Sequence, residues 1–221
     1  MRIAIVDDQH LVRDGFARVV RAQDDMDLVG LGATGRDAVE IAREHAPDVI
    51  VMDIRMPVLD GIAATREILN PGFVSAIGSR PRILIVTTFN LDEYVFDALR
   101  AGASGFLLKD ATPGQLVDAI RTVERGDALV DPAVTRTLIG AYVKRLRPPT
   151  ESADSAESLT PREREVLRLL AQGMSNVEIA AALVVTRETA KTYVSRILLK
   201  LGVRDRVQAV VYAYRSGIAD E

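Results

Sequence analysis

The sequence contains no cysteine. Disulfides, thiolate zinc sites and cysteine nucleophiles are therefore excluded. It has two histidines, His10 and His45, too few and too far apart for a histidine-based metal centre. It has no run of about 18 apolar residues, the length a helix needs to cross a bilayer. It has no GxxxxGK(S/T) phosphate loop, so a P-loop nucleotide hydrolase is disfavoured. The opening residues MRIAIVDDQH carry too short an apolar run for a secretory signal, and a cytoplasmic protein is expected.

What is present is an ordinary globular balance. The 221 residues are 48% hydrophobic and 27% charged, enough apolar material for one large or two small cores and incompatible with disorder throughout. The net charge of −3 hides an asymmetry. Residues 1–127 hold 14 Lys and Arg against 20 Asp and Glu, whereas residues 159–221 hold 10 against 7. An acidic front and a mildly basic back suggest two tasks, the second involving a polyanion.

The front section alternates short apolar runs with helical patterns. The runs are Arg2–Val6, Asp27–Leu31, Val49–Met52, Ile83–Val86 and Gly105–Leu108. They do not alternate with polar residues, so burial on both faces is expected, as in a parallel sheet. Between them lie helix-like segments at Leu11–Ala22, Arg36–His45, Ile62–Leu69, Asp92–Ala101 and Pro113–Arg125. Strict alternation predicts a doubly wound α/β domain with a five-stranded parallel sheet over 1–127. The segment Asn70–Pro81, with two prolines and two glycines, reads as a long loop. A helix is expected from Pro132 to about Leu146, followed by RPPTESADSAES, a flexible linker by composition. Residues 128–158 are thus assigned to a linker, and 159–221 to an all-α domain.

In an open α/β sheet, ligands bind beyond the carboxyl ends of the strands, where the strand order reverses. Asp7 and Asp8 follow the first strand, Asp53 ends the third, Thr87 the fourth and Lys109 the fifth. Crowded carboxylates repel unless a cation joins them, and an oxygen-only donor set suits Mg2+. A carboxylate so held can take up a phosphoryl group as an aspartyl phosphate. Lys109 and Thr87 can then contact the new oxygens. Each residue alone has a duller explanation, as a cap, a surface lysine or a strand-end filler. Their meeting at one sheet edge is what carries the assignment.

The back section reads as three helices and a fourth. Thr160 caps the first, with Pro161 at its first position, Glu163 at capping-box spacing and Gly173 past its end. Ser175 with Glu178 starts the second, and Thr186 the third, which Gly202 ends. The short join at Val184–Val185 fits a helix-turn-helix. At 100° per residue, Ala190, Val194, Ile197 and Leu201 form the buried side of the third helix. Glu188, Lys191, Thr192, Ser195, Arg196 and Leu199 face away. Two cations and two hydroxyls on one exposed face can meet phosphates and base edges in a major groove.

The segments IVDD, MDIRMP, IVTT and GFLLKD resemble the receiver domain of bacterial two-component response regulators, a flavodoxin-like fold. LTPREREVL, NVEIA, KTYVSRILLKL and RVQAVV resemble the LuxR-type helix-turn-helix of the NarL/FixJ subfamily. Together the two resemblances cover all but the linker and the last few residues. They imply that Asp53 is phosphorylated by a sensor histidine kinase. They imply Asp8, Asp53 and the backbone carbonyl of Arg55 as Mg2+ ligands, with Asp7 acting through water. Thr87 is implied as the switch hydroxyl, Phe106 as a rotating aromatic and Lys109 as the phosphate-contacting cation. Pro57 and Gly61 fit the turn after the acceptor. Glu178–Leu183 falls in the scaffold helix and Arg187–Leu201 is the recognition helix, with Lys191, Thr192, Ser195 and Arg196 toward DNA. The last helix, Val207–Tyr214, corresponds to a dimer contact through Val207, Val210, Val211 and Tyr214. Asp110 after the lysine, Ala190 and Tyr193 depart from the commonest residues of the family.

The expected protein is a transcription factor rather than an enzyme, one that forms a homodimer when phosphorylated, binds double-stranded promoter DNA and has no membrane partner. Two other readings remain open at this stage. One is a DNA-binding regulator that works without phosphorylation. The other is a Mg2+-dependent phosphatase, disfavoured because the acids after the first strand are adjacent rather than spaced as DxD.

Overall fold

In the computed structural model, which describes residues 1–73, 80–88, 92–126 and 159–220, the five apolar runs all form strands. They are β1 (Arg2–Val6), β2 (Asp27–Gly32), β3 (Val49–Asp53), β4 (Arg82–Thr87) and β5 (Gly105–Leu108). Helices α1 (His10–Arg21), α2 (Gly35–His45), α3 (Gly61–Leu69), α4 (Asp92–Ala101) and α5 (Pro113–Glu124) follow them in alternation. The helix expected from Pro132 and the linker at 147–158 lie outside the described residues, as does the middle of the loop at 70–81. The chain separates into two units, 1–129 and 130–221.

The strand order is β2-β1-β3-β4-β5, every pair parallel. From β1 the chain moves outward to β2, then returns to the other side of β1 for β3. The order therefore reverses between β1 and β3, which opens a crevice at their carboxyl ends. One face of the sheet packs Ile3, Ile5, Val49, Val51, Leu84 and Val86 against α1 and α5 through Ala17, Val20, Leu116 and Ile120. The residues between them, such as Ala4, Ile50, Met52 and Ile85, are buried as well. By the two-residue period of a strand they face the other layer, to which α2 and α3 belong.

Burial on both faces thus holds for β1, β3 and β4. It fails for β2, whose burial is partial and whose Leu31 is exposed. The reason is position: β2 is an edge strand and pairs on one side only. Local capping starts the helices. Thr34 with Asp37 and Thr112 with Gln115 form reciprocal capping boxes. Neither was anticipated from the sequence.

The second unit contains α6 (Pro161–Ala171), α7 (Asn176–Leu183), α8 (Arg187–Leu201) and α9 (Arg206–Arg215), then a short 3-10 turn, Ile218–Asp220. The anticipated capping boxes Thr160–Glu163 and Ser175–Glu178 are both formed. Thr186 caps α8 through the Thr189 amide, and Gly202 closes it in the left-handed conformation. The core brings together Val166, Leu167, Leu170, Ile179, Ala190, Val194 and Ile197.

Glu163 does more than cap. It is buried, and its Oε2 lies 2.6 Å from Lys200 Nζ near the end of α8. The same oxygen accepts from the Thr160 amide at 2.8 Å and the Thr160 hydroxyl at 2.9 Å. This ties the start of α6 to the far end of α8. Burial pushes the Glu163 carboxyl up, but Lys200 and Thr160 outweigh it and hold the pKa below the ordinary glutamate value. A carboxylate depressed in this way stabilises the fold above its ordinary pKa, and that stability is lost as pH falls through the folded value. We therefore expect Glu163→Gln to cost about 1–2 kcal/mol at neutral pH and to make unfolding of this unit less acid-sensitive. Tyrosine emission is the readout, since Tyr193, Tyr212 and Tyr214 all lie in this unit. An unchanged acid limb would contradict the role given to this pair.

Candidate functional site: an acidic pocket and an exposed helix face

The reversal between β1 and β3 sets Asp7 and Asp8 beside Asp53. These three carboxylates each place an oxygen within 4.8 Å of the others. Asp7 and Asp53 are 2% and 5% exposed, whereas Asp8 is exposed. Lys109, just past β5, puts its Nζ 2.8 Å from Asp7 Oδ2 and 3.0 Å from Asp53 Oδ2, and its side chain is only 5% exposed. One buried ammonium thus bridges two buried carboxylates, each from a different strand end.

The backbone holds the acids in place. The second Asp7 oxygen accepts from the Gln9 amide at 2.8 Å, and the second Asp53 oxygen from the Ile54 amide at 2.8 Å. Arg13 of α1, which the sequence reading did not single out, donates to the Asp7 carbonyl at 2.6 Å. The Lys109 amide donates to the Thr87 carbonyl at 2.8 Å, fixing the end of β5 beside the end of β4. After β3, the Gly61 amide returns to the Ile54 carbonyl at 2.9 Å. A Cβ at Gly61 would sit 2.0 Å from the Asp53 carbonyl oxygen. Only glycine lets α3 start this close to the acidic residue.

Charge in the pocket does not balance. Three carboxylates face one ammonium, an excess of two negative charges. Burial pulls Lys109 toward neutrality, but hydrogen bonds from Asp7 and Asp53 prevail and keep its pKa above the ordinary lysine value. Burial pushes Asp53 above the ordinary carboxylate range; Lys109 opposes this, and the neighbouring Asp7 adds to it. An oxygen-only pocket with two surplus negative charges has the charge and donor chemistry for a hard divalent cation.

Thr87 is buried at the end of β4, one residue beyond the Val86 that pairs with Asp53. Phe106 is buried in β5, paired with Ile85 and three residues before Lys109. Arg55 lies on the loop two residues past Asp53 and is exposed. Asp7, Asp8, Asp53, Thr87 and Lys109 therefore gather at the carboxyl ends of β1, β3, β4 and β5, with Arg55 on the loop beyond and Phe106 within β5.

In the second unit, Ala190, Val194, Ile197 and Leu201 of α8 are buried, and Glu188, Lys191, Thr192, Ser195, Arg196 and Leu199 are exposed. The division matches the 100° step. One hydroxyl departs from expectation, since Thr192 Oγ1 donates to the Glu188 carbonyl of its own helix at 2.9 Å. The residues assigned to a dimer seam on α9 divide. Val210 and Tyr214 are half-buried, and the Tyr214 hydroxyl donates to the Ala171 carbonyl at 3.0 Å. Val207 and Val211 are only 2% and 9% exposed. A seam through these two valines requires them to be uncovered first.

Among the described residues, no helix is long and apolar enough to cross a membrane. Residues 3–121 match the family model of the response regulator receiver domain, and residues 157–213 that of the bacterial regulatory proteins of the luxR family. The chain is 45% identical over 218 residues to the uncharacterized transcriptional regulatory protein YxjL of Bacillus subtilis, covering 99% of this chain and 97% of that one. It is 39% identical over 220 residues to the transcriptional regulatory protein LiaR of Bacillus subtilis, covering all of both chains. Among solved structures, the response regulator ChrA of a heme-sensing two-component system matches with a TM-score of 0.51 at 33% identity, over 98% of each chain. With a parallel sheet that gathers acids at its switch point and a helix-turn-helix behind it, the chain belongs to the NarL/LuxR-type response regulators, transcription factors built from a receiver and a LuxR-type DNA-binding domain.

Proposed function

We propose that Asp53 accepts a phosphoryl group from a sensor histidine kinase and that the modified chain pairs with a second copy on promoter DNA. The observation that carries this reading is the Lys109 ammonium shared between Asp7 and Asp53 at the switch point of the sheet. In the transfer, an Asp53 oxygen attacks phosphorus, the donor's bond to phosphorus breaks, and the donor nitrogen keeps the electron pair. Asp53 is itself the acceptor, so no separate substrate is turned over. Asp8, Asp53 and the Arg55 carbonyl are the groups to hold Mg2+, with Asp7 supporting them through water. The ion would supply positive charge to the phosphoryl oxygens during transfer.

The residues around Asp53 have defined tasks. Lys109 is already in contact with the acceptor, and on phosphorylation its ammonium can follow the new oxygens. The phosphoryl group adds about 1.5 to 2 negative charges and three acceptor oxygens. Thr87 can donate to one of these oxygens, and Phe106, buried two residues before the end of β5, is the aromatic that can turn behind it. Pairing of two chains raises the local concentration of their DNA-binding units through the tether at 128–158. Promoter DNA as partner implies action in the cytoplasm.

On the reading helix, Lys191 and Arg196 supply charge, and Ser195 a hydroxyl. A cation that touches phosphate strengthens binding to all sequences and steepens its salt dependence. A group on a base edge changes which sequence is preferred.

Three measurements test the reading. With a small acyl phosphate and Mg2+, the wild-type chain should gain one phosphoryl mass, and Asp53→Asn should gain none while keeping its unfolding midpoint. A wild-type rate of labelling in Asp53→Asn would place the acceptor elsewhere. In Mg2+ titrations, Asp8→Ala should lose more affinity than Asp7→Ala, since Asp8 is the direct ligand; equal affinity in Asp8→Ala and wild type would refute that. In DNA-binding isotherms at several salt concentrations, Arg196→Ala should weaken binding to every duplex and flatten the salt slope by roughly one unit. Lys191→Ala should instead narrow the gap between a preferred and a random duplex by about 1–3 kcal/mol. If both variants bind both duplexes like wild type, α8 is not the reading helix.

A further inference from the structure

The outer face of α8, otherwise polar, carries one large exposed apolar side chain. Leu199 is 83% exposed. In the same helix Val194, Ile197 and Leu201 are buried, and Leu198 is half-buried. Leu199 stands seven residues after Thr192, two turns on and within about 20° of it around the helix axis. Thr192 is exposed, but its hydroxyl is committed to the Glu188 carbonyl at 2.9 Å. What Thr192 has to offer an outside partner is then chiefly its γ-methyl.

The charge at this end of the helix already has a partner within the protein. Lys200 would be the natural phosphate cation here, yet its Nζ sits 2.6 Å from the buried Glu163 carboxylate. Its neighbour Leu199 takes the outward position. The carboxyl-terminal third of α8 therefore presents the Leu199 hydrocarbon beside a lysine that is already ion-paired. In a major groove the apolar feature of a base edge is the thymine C5 methyl.

We propose that Leu199 and the Thr192 methyl form a two-point apolar contact that selects thymine at two positions in the DNA site. The rise between them is about 10 Å along the helix axis, too far for both to meet one base pair. The two thymines therefore belong to different base pairs, and Ser195 and Arg196 lie between the two contacts along α8. This inference rests on α8 being the reading helix.

The test starts from duplexes enriched out of a random pool by the phosphorylated wild-type chain. Each thymine in the enriched site is replaced in turn by deoxyuridine, which removes the methyl and nothing else. Wild type should lose about fourfold in affinity at each contacted thymine, the effect of exposing one buried methyl. Leu199→Ala should be indifferent to the loss of one of these methyls and still sense the other; Thr192→Ser should show the converse. Both substitutions are on exposed positions, and an unchanged unfolding midpoint confirms that the domain is intact. If wild type enriches a sequence but neither variant alters its response to deoxyuridine, the proposal is overturned while α8 remains the reading helix. If wild type enriches nothing, and Lys191→Ala and Arg196→Ala bind as wild type does, the reading of α8 fails, and this proposal with it.

Discussion

The receiver depends on one buried ammonium. Lys109 lies between Asp7 and Asp53 with its side chain almost wholly covered. Two buried carboxylates cannot stand side by side without a cation, because each raises the other's pKa. Their shared partner lets β1 and β3 end in acids and still pack closely. The arrangement is balanced only in part. Asp8 brings a third carboxylate to the same place, and Asp53 is held above its ordinary pKa chiefly by burial. One cation thus holds the pocket together and still leaves it with surplus negative charge, the condition that suits a hard divalent cation.

Topology makes this economical. The reversal of strand order brings the ends of β1 and β3 together, with β4 and β5 following on one side. Side chains far apart in sequence need no long reach, since each begins at a strand end. Gly61 completes the fit from below, allowing α3 to start against the Asp53 carbonyl. The second unit applies a related rule to a different end. Its ion pair, the buried Glu163 with the partly exposed Lys200, neutralises one cation of α8. Which cations are already paired within the protein bears on what the helix can offer to DNA.

Much of this was legible in the residues, for definable reasons. Asp7, Asp8, Asp53, Thr87 and Lys109 could be placed because a strand end is a coarse location, and the rule for α/β sheets converts it into proximity. The inner and outer faces of α8 followed from 100° steps alone. Other features needed three dimensions. Glu163 has the spacing of a capping box, but nothing local predicts that its carboxylate will be buried or that Lys200, 37 residues on, will reach it. Thr192 reads as an exposed hydroxyl, and only the structure shows the hydroxyl turned back on its own helix. Val207 and Val211 form an apolar i, i+4 pair. Such a stripe signals that something covers it, not whether the cover is a second chain, and here both residues are already covered. The partial burial of β2 escaped because an edge strand and a central one share the same Val and Leu composition.

The central claim is that chemistry at the acidic pocket governs what α8 does. It is tested most directly by the affinity of the full chain for an enriched duplex, measured with and without prior treatment with acyl phosphate and Mg2+. The account predicts that the treated chain binds more tightly and that binding becomes more cooperative in protein concentration, as pairing requires. Identical isotherms before and after treatment, in a sample shown by mass to be phosphorylated, would contradict it.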